Sequence, residues 1–374
     1  MSHHPGLATL RRTALLGVAT AVTIGTLVAP AHAAKTSPKQ LSATWLSKQL
    51  TGGLIHNNQF DFDDYGLSID TAFALDAIGG HKKTVEQIGG AVASHVNDYI
   101  TGEAFGDTGS TYAGPTGKAI VLAQVAEKNP TSFGGVDLVS TLEGTVSTTA
   151  PTKGRIVDVS TFGDSANVLG QSFAARGLAN AKSPKAKAVT SFLLAQQCKA
   201  GYFRLNFTAD KTAADQTCDG GKKGSTSAPD TDATALTVIN LQGIDKKSAK
   251  VKKAVKMANA WLVKAQRKDG SFGGGKSTEK PNTNSTGLAA WALAGANQCK
   301  AAVAAAAWTT KFQVVKVAGT PLAGQRGAIA YDKPALRKGM KKGIKVATQD
   351  QWRRATAQAA PAMGLLTVKS CRKF

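Results

Sequence analysis

Residues 260–293 decide the fold. They read Ala260-Trp261-Leu262-Val263-Lys264-Ala265-Gln266, then Arg267-Lys268-Asp269-Gly270-Ser271-Phe272-Gly273-Gly274. After a short loop comes Asn284-Ser285-Thr286-Gly287-Leu288-Ala289-Ala290-Trp291-Ala292-Leu293. The first segment carries apolar residues at helical spacing and ends in a glutamine. The second is a glycine turn around one aromatic. The third opens on side chains that cap helices and continues as a helix of small residues.

The same unit recurs along the chain. Small-residue helices are predicted at Leu67–Leu75, Gly114–Leu122, Asp164–Phe173, Pro229–Leu236, around Thr286-Gly287-Leu288 and at Arg354–Ala359. Between them lie amphipathic helices at Leu41–Leu50, Val85–Tyr99, Val136–Glu143, Ala186–Gln197, Val251–Gln266 and Ala301–Gln313. Helices of small residues can crowd around a centre, and helices with one polar face belong outside. Six of each, alternating, close into an all-α ring, an (α/α)6 toroid. Turns of glycine and one bulky residue join outer to inner helices at Gly53-Leu54-Ile55, Glu103-Ala104-Phe105-Gly106, Gly201-Tyr202-Phe203 and Gly270-Ser271-Phe272-Gly273.

Gln266 with Asp269-Gly270-Ser271-Phe272-Gly273 resembles the QW repeat of squalene–hopene cyclases. Pro229-Asp230-Thr231-Asp232-Ala233-Thr234-Ala235 is similar to the Asp-x-Asp-Asp-Thr-Ala motif of those enzymes. The chain thus resembles the terpenoid cyclase/protein prenyltransferase toroids (the prenyltransferase and squalene oxidase repeat), which include intrinsic-factor-like cobalamin binders. That resemblance implies Asp232 as a proton donor with Asp230 beside it, but Ala233 replaces the third carboxylate that would help tune the acid. The other reading is helix capping by Asp230 or Asp232, with Asn284, Ser68 and Asp164 doing the same in sister repeats.

Asp61-Phe62-Asp63-Asp64 also spells Asp-x-Asp-Asp, but Tyr65-Gly66-Leu67 follows it and the Thr-Ala pair comes later, at Thr71-Ala72. Asp61, Asp63 and Asp64, with Tyr112 near the mouth of the ring, are candidate ligand-binding residues. Carboxylates at alternate positions also suit a hard cation, although no glycine and distal glutamate complete a calcium loop. His56, His81 and His95 are the histidines of the mature chain and none pairs with cysteine as zinc would require, so the prenyltransferase metal and activity are excluded. No Gly-x-Ser-x-Gly element is present. No cofactor set is recognisable. Carbohydrate-active enzymes also use (α/α)6 rings with paired carboxylates. Trp45, Trp261 and Trp308 fall on outer helices, which leaves few tryptophans to stack on sugars.

Residues 1–33 read as a secretory signal peptide. Arg11-Arg12 precede an apolar run from Thr13 to Val28, and Ala31-His32-Ala33 is a small-x-small cleavage site. The toroid domain is then 34–374. Without Arg11 and Arg12 it carries 44 Lys and Arg against 24 Asp and Glu, a net +20. The lysines alternate with apolar residues at helical spacing, which reads as solvated helix faces, and export argues against nucleic acid as a partner. Attraction to an anionic cell envelope is the alternative, strongest from Asp245 to Lys256 and from Lys333 onward. Four cysteines in an oxidising compartment imply two disulfides, expected as Cys198–Cys218 and Cys299–Cys371.

The function these features favour is a secreted, non-catalytic toroid binding an apolar, amphiphilic or anionic ligand, or an envelope polymer. A cyclase using Asp232 and a carbohydrate-active enzyme are the alternatives. N-terminal sequencing of the exported chain is expected to begin at Ala34. A chain still starting at Met1 would contradict the cleavage.

Overall fold

The structure, a computed structural model, describes residues 36–218 and 227–374. The predicted signal peptide lies outside the described residues. Outer helices α1 (Pro38–Ser47), α3 (Lys82–Ser94), α6 (Leu138–Gly144), α8 (Ala186–Ala195), α10 (Ala249–Ala265) and α12 (Cys299–Thr310) alternate with inner ones. The inner helices are α2 (Tyr65–Ile78), α5 (Ala113–Val125), α7 (Val168–Asn180), α9 (Thr231–Gln242), α11 (Thr283–Gly295) and α14 (Val346–Ala359). Each inner helix packs on the next, and α14 packs back on α2, so six inner helices close the ring. Further helices α4 (Val96–Ile100), α13 (Lys333–Lys342) and α15 (Val368–Cys371) are appended.

Small residues let the inner helices approach. A Cβ on Gly170 would meet the Gly114 Cα at 2.7 Å, one on Gly117 the Ala174 nitrogen at 2.9 Å, and one on Gly177 the Ile120 side chain at 2.8 Å. These contacts advance together along α5 and α7, so the two helices run parallel.

The repeat is fastened at three points. First, the glutamine ending an outer helix donates to a carbonyl of the following outer helix. Gln197 bonds Ala254 O at 2.9 Å, Gln266 bonds Ala301 O at 2.9 Å, and Gln313 bonds Pro38 O at 2.7 Å, which closes α12 onto α1. Gln197 and Gln266 also hold their own turns, through Gly201 O and Gly270 O. Second, the turn glycine presses on that following helix. Gly270, at φ +91°, leaves room for Ala304 O, and Gly201, at φ +108°, for Met257 O. Third, the bulky residue two positions on gives its N–H to the next inner helix: Ile55 to Ser68, Phe203 to Thr234, Phe272 to Thr286 and Ile329 to Thr356, all within 3.0 Å. Phe203 and Phe272 are fully buried. Such bonds contribute about 1 kcal/mol each, and more is lost when a buried partner is left bare.

Two details differ from the sequence reading. Gly154-Arg155-Ile156 and Gly327-Ala328-Ile329 make turns of this kind as well, their glycines facing Ala188 O and Leu41 O. Glu103–Phe105 is instead a 3-10 turn, its Phe105 N–H donated back to Gly102 O at 2.8 Å and the Phe105 side chain 76% exposed. The caps also lie a few residues from those expected: Asp64 and Asn282 cap α2 and α11, earlier than Ser68 and Asn284, and Asn167 caps α7, later than Asp164.

Both expected disulfides form. Cys198–Cys218 closes a loop before α9 with its Cα atoms 5.0 Å apart, and Cys299–Cys371 ties α15 to the start of α12 at 5.6 Å. They suit an oxidising, extracellular setting. No described helix is long and apolar enough to cross a membrane.

Gly270→Ala combines left-handed strain with a collision at a carbonyl 2.5 Å away, whereas a Cβ on Gly109 (φ +73°) meets nothing within 4 Å. Urea denaturation should therefore show a loss of at least about 2 kcal/mol for Gly270→Ala and about 1 kcal/mol for Gly109→Ala. Equal losses would contradict the tight fit of the turn.

Candidate functional site: the central cavity

The inner helices enclose a cavity of about 990 Å³. Its wall is layered. Toward the N-terminal ends, Asp70 of α2 and Lys118 of α5 form a 2.7 Å ion pair. Lys118 also donates to Gly66 O at 2.9 Å. Burial alone would lower the Lys118 pKa, but the neighbouring Asp70 and Tyr99 raise it, so the ammonium stays charged. The middle layer is apolar. Phe73 and Phe173 stack with centroids 5.8 Å apart, and Leu236, Ile239, Leu288 and Trp291 complete it. Toward the C-terminal ends stand Asp76 and Arg176.

Tyr112 lines the mouth and donates to Asp107 at 3.1 Å. Asp107 also accepts from the Ser160 hydroxyl at 2.6 Å and from the hydroxyl and N–H of Thr161. Those bonds, Ser160's first, hold its carboxyl down at about 2. They pin the strap before α7 across the mouth. Asp158, on the same strap, accepts from Ala113 N and Ser165 N. Burial nonetheless pushes its carboxyl up. Phe162 stands on this strap, 71% exposed.

The other expected residues lie elsewhere. Asp230 caps α9, its carboxylate accepting Ala233 N at 2.9 Å. Asp232 does not line the cavity. It is roofed by the backbone of Gly274, and its buried Oδ1 has no hydrogen-bond partner. Burial pushes this carboxyl up to about 6, the Ser285 hydroxyl opposing and Asp230 reinforcing. Asp61, Asp63 and Asp64 are divided. Asp61 and Asp63 flank the His56 ring at 3.2 and 3.0 Å in a hairpin of β1 (His56–Asn57) and β2 (Phe62–Asp63), where Asp63 first and then Asp61 raise the His56 pKa. Asp64 caps α2 through Leu67 N and pairs with Arg354 of α14, a second bond across the ring closure. No three metal-ligating side chains gather among the described residues.

Sequence reasoning missed Lys118 and Arg176. Each is the single cation in an inner helix of small residues, α5 and α7. That is the signal that marks them.

Comparison with known proteins agrees with this geometry. No protein-family model matches the sequence, and no curated protein does. Among solved structures, the type II terpene cyclase MstE from Scytonema superposes with a TM-score of 0.60 at 14% identity, covering 90% of this chain and 98% of that one. The fold it shares with this chain is an α/α toroid. A protein from Actinoplanes aligns at TM-score 0.56 and 14% identity over 88% of this chain and 98% of its own. The unsaturated glucuronyl hydrolase of Bacillus sp. GL1 aligns at 0.54 and 11% over 88% and 94%. At these identities the likeness is one of fold, and unrelated chemistries share it.

An acid raised by burial costs stability once it ionises. Asp232 keeps its proton in the folded chain up to about pH 6 while the unfolded chain releases it near 3.8, so its contribution falls as pH rises through that window. Asp232→Asn is expected to stabilise the protein at pH 7 by about 1–3 kcal/mol and to flatten the pH dependence between 4 and 6. Thermal unfolding across that range checks it. Destabilisation at pH 7 would contradict an unpaired buried carboxyl.

Proposed function

We propose that this is an exported, non-catalytic toroid that holds an apolar or amphiphilic small molecule in its central cavity. The observation that carries the reading is the layered wall: a middle of Phe73, Phe173, Trp291, Leu236, Ile239 and Leu288 between two polar ends. Ligand sites of this size, mostly apolar with a few placed polar groups, are the common form of small-molecule sites. MstE, of the same fold, is described in complex with geranylgeranyl dihydroxybenzoate as substrate, a molecule of the class meant here.

Helix α13 supports a second, weaker association. Lys333, Arg337, Lys338, Lys341 and Lys342 project from it with Lys345 beyond, and none has an ion pair among the described residues. Such a face is attracted to an anionic envelope surface in a salt-dependent way.

The cyclase reading rests on Asp232, an acid raised toward neutrality. A proton donor must reach the reacting atoms of its substrate, and Asp232 is outside the cavity lining. The binding reading is therefore preferred, over the carbohydrate-active alternative as well, since Trp291 is the one tryptophan among the cavity-lining residues.

Native mass spectrometry of the protein purified from its exporting host tests the proposal. A stoichiometric small molecule, released on denaturation, is expected. A bare chain that also takes up no lipid or isoprenoid probe would overturn it.

A further inference from the structure

Arg176 is the group in the cavity whose hydrogen-bonding capacity is least used. Its Nε is buried with no partner, and its guanidinium makes no hydrogen bond or ion pair with any described residue. Lys118, the other cavity cation, is engaged by Asp70, by Gly66 O and by the Phe173 ring. The guanidinium of Arg176 lies against the backbone of Gly243, where a Cβ would meet Nε at 2.6 Å and Cζ at 2.7 Å. The end of α9 is thus shaped to seat it. One helical turn back on the same helix is Phe173, stacked on Phe73. An arginine fork at one end of an aromatic chamber presents paired N–H donors and an apolar wall in series.

We infer that Arg176 is the anchor for the head group of a carboxylate amphiphile, its apolar tail lying between Phe73, Phe173 and Trp291. This rests on the cavity-binding reading above. A planar carboxylate matches the fork of a guanidinium with two parallel bonds, and a buried arginine without such a partner carries an uncompensated desolvation cost. Asp76, on α2 beyond α5, is the acid with the larger pull on Arg176, and Asp245 adds a smaller one. Asp76 is exposed and forms no ion pair with Arg176. Its partial neutralisation of the site favours a singly charged head over a phosphate dianion. The six helical steps from Asp70 to Asp76 correspond to about 9 Å between the two polar layers, so the tail passes the apolar layer and reaches the Lys118 end.

The test is a pair of fluorescence titrations with cis-parinaric acid and its methyl ester on the full exported chain, repeated with Arg176→Met and Asp76→Asn. The acid is expected to bind about ten-fold more tightly than the ester, as one charge-assisted pair provides. Arg176→Met should bring the acid down to the ester's affinity and leave the ester unchanged, and Asp76→Asn should tighten the acid alone. Equal affinity of acid and ester for the wild-type chain, or a preference that survives Arg176→Met, would overturn the anchor while leaving cavity binding intact. If neither probe binds, the cavity reading fails and the anchor with it.

Discussion

The fold depends on one cross-brace repeated around the ring. A glutamine at the end of an outer helix reaches the backbone of the following outer helix, and the glycine turn beside it lets that backbone come close. Gln197, Gln266 and Gln313 make this bond, and the last of them joins α12 to α1. An amide that serves its own turn and the next helix leaves the turn little freedom to drift. It also fixes where the following N–H points, so Phe203, Phe272 and Ile329 find the threonine hydroxyls of the inner helices. Outer spacing, turn and inner-helix register are thereby set together.

The cavity is a consequence of that geometry. Six inner helices held at the radius of the outer ring meet sideways through glycine and alanine, not through long side chains aimed at the axis. Their larger residues then stand around a space instead of filling it. Where polar groups project inward they are sorted by depth, with Asp70 and Lys118 toward one end and Arg176 toward the other. The acidic motif at the start of α9 is spent differently: Asp230 caps its helix and Asp232 is sealed under Gly274.

The ring was legible in the sequence because its determinants are local. Gln266, Gly270, Phe272 and Thr286 fall in one short stretch, and the small-residue helices declare themselves by composition. The disulfides followed from the cysteine count and spacing. The site was far less legible. Lys118 and Arg176 face the cavity only because α5 and α7 pack in one particular register, a tertiary fact that a single charged residue in an alanine-rich helix hints at without placing. Asp61, Asp63 and Asp64 lie within four residues of each other, yet the hairpin gives the first two to His56 and capping gives Asp64 to α2 and Arg354. Asn282, not Asn284, caps α11: two asparagines stand two residues apart at this helix start, and either could cap by residue type alone.

The most direct test of an open, ligand-holding ring is a crystal structure of the protein grown with 12-bromododecanoic acid, read through the anomalous signal of bromine. A single bromine peak within the ring of Phe73, Phe173 and Trp291, with continuous density leading to a head group at Arg176, is the result predicted here. A ring whose centre is closed by its own side chains, or bromine found only on the outer surface, would contradict it.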